Sequence, residues 1–242
     1  MAAIANIPFV RQISDKIFAE SFLFEVDIAT PLLSNPYLEF PYLIIENFLD
    51  QQCCRQIINA VQRDNDAQSA ALRGRKKRVD KSIRKTKIYT LMPIHRELYD
   101  QAFARERAQI EAFFALSLTT STDVQVLEYT KGSFYKAHAD DSSVLIDKEG
   151  KTVGFKQVAP HRKLSSVLFT SEHNDALPDQ YSYSGGELVF NYFHDLNGEV
   201  VKLKPKMGTL VVFASNPIYT HEVREVTEGY RLTLVQWHDA LL

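Results

Sequence analysis

One short motif could bind a divalent metal ion. His138 and Asp140 are separated only by Ala139, and in extended chain residues i and i+2 point to the same face. An imidazole and a carboxylate would therefore converge on one point and occupy one side of a metal ion. A His-x-Asp pair is also common by chance, so the motif alone is more often an ordinary surface pair than a metal site.

A third metal ligand must come from elsewhere in the chain, and His221 is the strongest candidate among the seven histidines. It lies in a strand-like run near the C-terminus. Two histidines and one carboxylate leave three positions of a metal open, an arrangement typical of non-haem Fe(II) sites. The remaining histidines have no ligand-like spacing, and we expect most of them to be exposed or in loops: His95, His161, His173, His194 and His238.

Arg231 could place a positive charge beside this metal site. We interpret Glu228-Gly229 as a hairpin turn that leads to a strand with Arg231 and Thr233. If the turn holds an odd number of residues, Arg231 shares a face with His221 and points into the metal cavity. A guanidinium matches a carboxylate with two parallel hydrogen bonds, so such a pocket would suit a chelating dicarboxylate.

The elements that must position these residues are mostly strands. From Thr122 onward, short β-rich runs alternate with Gly-containing turns, a pattern typical of a sandwich or barrel. Hydrophobic periodicity predicts two helices before them, at 49–61 and 94–116, with Asp50 at the N-cap of the first. We expect one domain at residues 41–242, after a helix-prone N-terminal extension at residues 1–40. The predicted strands are 42–45, 88–92, 124–129, 164–170, 186–193, 199–203, 209–214, 220–226 and 230–237.

Composition and charge narrow the class of protein. Of the 242 residues, 45% are hydrophobic, enough for a substantial core. The two cysteines, Cys53 and Cys54, are adjacent and give no disulfide framework, which suits a reducing compartment. We find neither a secretory signal nor an apolar run of roughly 20 residues, the length of a membrane span. We therefore expect a cytoplasmic protein with no membrane partner.

The segment from Arg73 to Lys87 is strongly basic. It contains nine Lys or Arg and one acid, so its net formal charge is +8, whereas the whole chain carries −2 and its remainder −10. A block of like charges is often a solvated, mobile loop. Alternatively, the segment could steer an anionic partner such as an acidic protein segment or a nucleic acid. The sequence leaves both interpretations open.

Several motifs together resemble the prolyl 4-hydroxylase-like 2-oxoglutarate/Fe(II) dioxygenases. The segment from Tyr129 to Asp140 resembles the family's Y-x-x-G-x-x-Y-x-x-H-x-D signature. Further resemblances are to its GGE-L-x-F strand at 185–190, to the run before its distal histidine at 204–208 and 211–215, and to its closing H-x-V…G-x-R-x-S/T motif at 221–233.

The resemblance implies a mainly β fold with supporting helices, a double-stranded β-helix or jelly roll. It implies Fe(II), 2-oxoglutarate, O2 and ascorbate as cofactors. The implied reaction hydroxylates a C–H bond of a peptide or amino-acid-like substrate and decarboxylates 2-oxoglutarate to succinate. The residues that match the iron ligands and catalytic centre are His138, Asp140 and His221, and those that match the cosubstrate pocket are Arg231, Tyr129 and Thr233.

The chain departs from the family pattern at one position. Relatives carry a tyrosine late on the strand after the metal motif, with its hydroxyl toward the cosubstrate, where this chain has Phe169. The retained Asp140 favours hydroxylation over halogenation, because halogenating relatives have a small residue there. A nucleic-acid demethylase and a non-catalytic β-barrel binding module are alternatives. The demethylase ranks lower because its R-x-N-x-T-x-R ending is not matched from Arg231 onward.

Overall fold

The structure is a computed structural model that describes residues 10–20, 39–68 and 82–241. Strands dominate the described residues, and two α-helices accompany them, α1 at Gln51–Gln68 and α2 at Pro93–Phe114. The strands are β1 Val10–Gln12, β2 Phe18–Glu20, β3 Leu43–Ile45, β4 Arg84–Lys85, β5 Lys87–Thr90, β6 Ser117–Ser121, β7 Gln125–Thr130, β8 Phe134–His138, β9 Ser142–Ile146, β10 Thr152–Gln157, β11 Leu164–Phe169, β12 Glu172–His173, β13 Ser182–Gly185, β14 Leu188–His194, β15 Val200–Leu203, β16 Thr209–Ala214, β17 His221–Val223 and β18 Val226–Leu241.

Two sheets pack face to face and enclose the core. The smaller sheet has the order β1-β2-β14-β17-β8-β4, with β15 beside β14. The larger has the order β12-β13-β18-β11-β16-β3, and β6 and β7 also pair with the long strand β18. Phe190 of the smaller sheet meets Phe213 of the larger one edge to face, with ring centroids 5.1 Å apart. This is the jelly roll that the sequence predicts.

The helices cover the outer face of the larger sheet. Tyr99 of α2 lies 3.2 Å, hydroxyl to hydroxyl, from Ser166 of β11, and Phe103 stacks on His238 of β18 at 4.5 Å between centroids. Asp50 caps α1 as predicted, because its Oδ1 accepts a hydrogen bond from the Cys53 amide at 2.7 Å. Neither helix of the described ranges has the length and apolarity needed to cross a bilayer.

The expectation of helix in the N-terminal segment is wrong for the residues that the structure describes. Residues 10–20 form the antiparallel pair β1 and β2, and β2 extends the smaller sheet by pairing with β14, with Ala19 opposite Phe193. The alternating burial of Ile17 and Ala19 is a period-2 signal, and pairing with the edge of β14 outweighs local helix propensity. The other residues of the expected extension, 1–9 and 21–38, lie outside the described ranges, and its boundary at residue 40 stays a prediction.

Most of the remaining histidines are buried, which corrects the expectation that they are exposed. His161 is exposed as expected, with 86% of its side chain accessible. His238 is fully buried and His95 nearly so, and the side chain of His173 is buried. His238 is accommodated because both ring nitrogens have hydroxyl partners, Ser166 Oγ at 2.8 Å and Ser121 Oγ at 2.7 Å.

Burial of His238 predicts a pH-dependent contribution to stability. Burial, and to a lesser extent the Arg107 charge, lowers the pKa of His238 to about 3. The folded state therefore keeps the ring neutral, whereas the unfolded chain takes up a proton below about pH 6.5. The stabilisation is complete above that pH and is lost as the pH falls toward 3. Between pH 7 and 5 the metal-free protein should lose about 2 kcal/mol more unfolding free energy than a His238→Gln variant does.

Urea unfolding at both pH values measures this difference, with exposed His161→Gln as the control that should behave like the parent protein. Only the change with pH is compared, so a general loss of stability in the variant does not affect the test. Equal losses in the parent and in His238→Gln would contradict the assignment.

Candidate metal and cosubstrate site

The structure brings together the three side chains of the predicted metal site. His138 at the end of β8 lies directly opposite His221 at the start of β17, and their ring centroids are 4.4 Å apart. Asp140 follows two residues after His138. One potential ligand atom from each residue lies within 4.8 Å of the other two, and no other such cluster of His, Cys, Asp and Glu occurs in the described part of the chain.

Backbone carbonyls orient both imidazoles. Nδ1 of His138 lies 2.9 Å from the Lys136 carbonyl oxygen, and Nδ1 of His221 lies 2.9 Å from that of Tyr219. A carbonyl only accepts, so each Nδ1 must donate, and in the neutral form of either ring the free lone pair is then on Nε2. These two Nε2 atoms lie 3.7 and 3.8 Å from the carboxylate oxygens of Asp140.

The charge states in this cluster suit a cation. Burial, with a further effect of His221, lowers the pKa of His138 to about 3, so its ring is neutral at physiological pH. Burial also acts to raise the pKa of Asp140, but the two histidines and a hydrogen bond from Ser165 outweigh it and leave that pKa below its usual value. Neutral imidazole and ionised carboxylate are the forms that bind metal ions.

Ser165 of the opposite sheet holds the Asp140 carboxylate in place. Its Oγ donates to Asp140 Oδ2 at 2.6 Å. Because its proton is used there, Ser165 must accept from Ser215, whose Oγ lies 2.7 Å away. Both serines are fully or almost fully buried. The carboxylate is therefore fixed by a short chain of hydroxyls that links β8 to the larger sheet.

Arg231 lies across the interior from the histidines, which corrects the expected topology. Strand β17 belongs to the smaller sheet and β18 to the larger one, so the interpretation of Glu228-Gly229 as a hairpin turn between them is wrong. Gly229 is inside β18, opposite Tyr183. The chain crosses between the two sheets at residues 224–225, between β17 and β18, and a sequence pattern cannot distinguish such a crossing from a hairpin.

Arg231 nevertheless faces the same interior space as the histidine–aspartate cluster. Arg231 and Trp237 are six positions apart on β18, an even interval, and therefore share one face of the larger sheet. Ser165, directly opposite Trp237, lies on that face too and contacts Asp140. The inner face that presents Arg231 thus borders Asp140.

The Arg231 guanidinium is almost completely buried, at 1% exposure, and has no carboxylate partner among the described residues. Aromatic rings surround it, with Cζ 4.8 Å from the Tyr129 ring centroid, 5.1 Å from that of Phe169 and 5.6 Å from that of Tyr183. Nη1 lies 3.5 Å from Thr233 Oγ1, and Nε has no hydrogen-bond partner. A buried cation without an anion is unfavourable, so the site suits a ligand carboxylate.

Tyr183 is a residue of this pocket that the sequence analysis missed. It lies on β13, a four-residue strand that was not predicted because turn-forming residues surround it. The signal that could have found it is its position two residues before Gly185, because residues i and i+2 of an extended chain point to the same face.

Comparison with known proteins identifies this part of the chain. Residues 124–239 match the family model described as the 2OG-Fe(II) oxygenase superfamily. The segment at residues 124–239 belongs to the 2OG-Fe(II) oxygenase superfamily. The matched residues include the histidine–aspartate cluster and Arg231. No curated protein matches the chain significantly.

Solved prolyl hydroxylases share the fold of this oxygenase. A Pseudomonas putida prolyl-4-hydroxylase is 22% identical, with a TM-score of 0.55, over 83% of this chain and 93% of that chain. A Trichoplax adhaerens prolyl hydroxylase, solved with a hypoxia inducible factor peptide fragment, is 20% identical, with a TM-score of 0.58, over 82% and 83%. A collagen prolyl hydroxylase of Paramecium Bursaria Chlorella virus-1, solved with 2OG, is 21% identical, with a TM-score of 0.54, over 83% and 96%.

Removing the Ser165 hydroxyl should weaken metal binding by the oxygenase. A group that orients a metal ligand typically changes metal affinity by about 10- to 100-fold when it is lost, so Ser165→Ala should raise the Kd for Mn(II) by at least about tenfold. Calorimetric titration of the metal-free protein measures this. Ser166→Ala is a matched control, because that neighbouring hydroxyl faces the helices and lies 2.8 Å from His238 Nε2. Equal Mn(II) affinities in the two variants would show that Ser165 does not position Asp140.

Proposed function

We propose that this chain is an Fe(II)- and 2-oxoglutarate-dependent dioxygenase that hydroxylates a C–H bond of a peptide or amino-acid-like substrate. Two features together carry the proposal. One is a cluster of two histidines and one carboxylate, and the other is the buried Arg231 on the facing sheet, which has no carboxylate partner among the described residues. Metal ligands alone would fit many metalloproteins. The arginine adds a requirement for a carboxylate in the same interior space, which 2-oxoglutarate satisfies.

His138, Asp140 and His221 would hold the Fe(II) ion. The fit rests on the two Nε2 lone pairs, each fixed by an Nδ1 hydrogen bond, and on a carboxylate whose lowered pKa keeps it ionised. Three protein ligands on one side of the metal leave positions for cosubstrate and O2. When bound, Fe(II) supplies O2 activation coupled to oxidation of 2-oxoglutarate.

Arg231 would bind the distal carboxylate of 2-oxoglutarate, and Thr233 and Tyr129 would complete that end of the pocket. The guanidinium can donate two parallel hydrogen bonds to a carboxylate. Thr233 Oγ1 already lies near Nη1, and the Tyr129 ring lies over the guanidinium. Because the surroundings exclude water, the ion pair would be stronger than at the surface.

The substrate class is inferred from the fold and from Asp140. Prolyl hydroxylases share this fold, and one of them was solved with a peptide fragment. The retained carboxylate ligand favours hydroxylation over halogenation. In the balanced reaction, substrate C–H, O2 and 2-oxoglutarate give C–OH, succinate and CO2. Ascorbate would serve as an accessory reductant, and we propose the cytoplasm as the location.

The basic segment would help to capture an anionic substrate. Most of it, residues 73–81, lies outside the described ranges. Its last part forms β4, which pairs with β8, and the Arg84 guanidinium carbon lies 4.4 Å from the Tyr135 ring centroid. Tyr135 in turn stacks on His138 at 3.6 Å. The described end of the segment is therefore next to the proposed metal site, where positive charge would attract an anionic substrate.

Anaerobic binding and aerobic turnover test the proposed function. The parent protein should bind 2-oxoglutarate only with a divalent metal present and should form succinate with Fe(II), O2 and ascorbate. His221→Ala should lose metal binding and succinate formation. Arg231→Ala should retain Mn(II) affinity but bind 2-oxoglutarate more weakly by about 2–5 kcal/mol.

Undiminished succinate formation in His221→Ala would rule out the ligand assignment. Metal and cosubstrate binding without any turnover would favour the non-catalytic binding module. Product analysis separates the two possible enzyme activities. A gain of one oxygen in a peptide or amino acid supports hydroxylation, whereas loss of a methyl group from a nucleic acid supports demethylation.

The basic segment should matter most at low salt. Replacing Arg75, Lys76, Lys77 and Arg78 with serine should lower kcat/KM for an anionic substrate at low ionic strength. The difference from the parent should shrink at high salt, because charge steering is screened over roughly 8 Å at physiological ionic strength. Substrate-free 2-oxoglutarate turnover is the internal control and should not change. Coincident kcat/KM curves at every salt concentration would show that the segment is only a solvated loop.

A further inference from the structure

On the side of the Arg231 guanidinium that faces Phe169, an aromatic ring is present and no hydroxyl group. Phe169 is fully buried on β11, directly opposite Thr233 of β18. Its ring centroid lies 5.1 Å from Arg231 Cζ. The ring packs against the cation, but it offers no hydrogen bond to a carboxylate held there.

Tyr183 approaches the same guanidinium from the neighbouring strand. It pairs with Gly229 of β18, and Gly229 shares a face with Arg231 because the two residues are two positions apart. Tyr183 therefore lies over the inner face of the larger sheet, next to Arg231. Its ring centroid is 5.6 Å from Arg231 Cζ.

The Gly185-Gly186 turn fixes this proximity. A Cβ at Gly186 would lie 2.8 Å from Val226 Cγ2, 3.1 Å from Arg231 Cδ and 3.2 Å from Tyr183 Cδ2, and the residue has a positive φ of 60°. Any larger residue here would be strained and would press on both Arg231 and Tyr183. The glycine therefore allows the arginine and the tyrosine to pack closely against the backbone.

The Tyr183 hydroxyl is a buried polar group whose proton is not used in a hydrogen bond. Its side chain is fully buried, and neither its hydroxyl nor Arg231 Nε makes a hydrogen bond of normal geometry to a described residue. From the nearby Arg231 side chain the hydroxyl can only accept, so its own proton remains available. The His173 and Tyr183 rings meet edge to face with centroids 5.4 Å apart, and His173 Nε2 lies toward Asp175, 3.4 Å from its Oδ1. Buried polar atoms are nearly always paired, so two adjacent unpaired donors indicate the place of an acceptor group.

We propose that Tyr183 is a cosubstrate-binding residue whose hydroxyl donates to the carboxylate that Arg231 holds, opposite the hydroxyl-free ring of Phe169. The proposal rests on the proposed function, since the carboxylate is the distal one of 2-oxoglutarate. The phenol is in the right form to donate: burial raises the pKa of Tyr183, and the charge and hydrogen bonding of Arg231 oppose this only in part. Its O–H···O⁻ hydrogen bond would be charge-assisted in a dry pocket.

A pair of ligands that differ at the distal carboxylate tests this role. The metal-loaded protein with Mn(II) is titrated without O2 with 2-oxoglutarate and with 2-oxobutyrate, which keeps the 2-oxo acid but lacks the distal carboxylate. In Tyr183→Phe, the Kd for 2-oxoglutarate should rise by about tenfold, the size of one hydrogen bond to a charged group. The Kd for 2-oxobutyrate and that for Mn(II) should stay within about twofold of the parent values.

Two further variants separate binding from packing. Tyr99→Phe removes another fully buried hydroxyl, one that meets Ser166 on the helix side of the sheet, and it should leave both Kd values unchanged. Phe169→Tyr in the Tyr183→Phe background returns a hydroxyl beside Arg231 and should recover part of the lost 2-oxoglutarate affinity.

The outcomes distinguish this proposal from the proposed function. If the parent binds 2-oxoglutarate and Tyr183→Phe binds it equally well, Tyr183 has no role in binding while the proposed function stands. If Tyr183→Phe weakens both ligands equally, its effect is on packing, and the proposal is wrong. If the parent with Mn(II) does not bind 2-oxoglutarate at all, the proposed function and this proposal both fail.

Discussion

The buried charge of Arg231 is the constraint on which the rest of the interior depends. A guanidinium at 1% exposure has lost its hydration, and among the described residues no carboxylate compensates for it. The rings of Tyr129, Phe169 and Tyr183 contribute only the weaker attraction between a cation and an aromatic face. The core thus holds an uncompensated positive charge, which a ligand carboxylate would neutralise.

The histidine–aspartate cluster differs from Arg231, because neighbouring side chains of the protein itself stabilise the charge of its carboxylate. Burial keeps the ring of His138 neutral, and the Asp140 carboxylate stays ionised despite its burial. Hydrogen bonds from Nδ1 to backbone carbonyls orient both imidazoles. Ser165 connects this cluster to the larger sheet, whose inner face also presents Arg231. The two sheets are therefore joined by hydrogen bonds at the histidine–aspartate cluster. Their packing fixes how far this cluster lies from the Arg231 guanidinium.

The outer face of the larger sheet needs its own support. Strand β11 presents Ser165 inward to Asp140, and the next residue, Ser166, points outward to Tyr99 and His238. A strand with polar side chains on both faces is stable here because helix α2 covers the outer face. The helix layer thereby supports the strand whose Ser165 holds the Asp140 carboxylate.

Local rules determined part of this protein from sequence alone. The i, i+2 spacing of His138 and Asp140, the turn signals and the Asp50 cap are properties of neighbouring residues, and they sufficed for a β-rich sandwich or barrel, the two helices and two of the three clustered residues. The jelly roll and the match of His221 to a third ligand came from the resemblance of several motifs to a known family. Only the tertiary structure decided that Arg231 reaches the site from the opposite sheet, that residues 10–20 extend a sheet, and that Tyr183 lies beside the guanidinium. Those three outcomes depend on which sheet a strand joins, and pairing between distant strands is set by burial of the whole core, which no local pattern encodes.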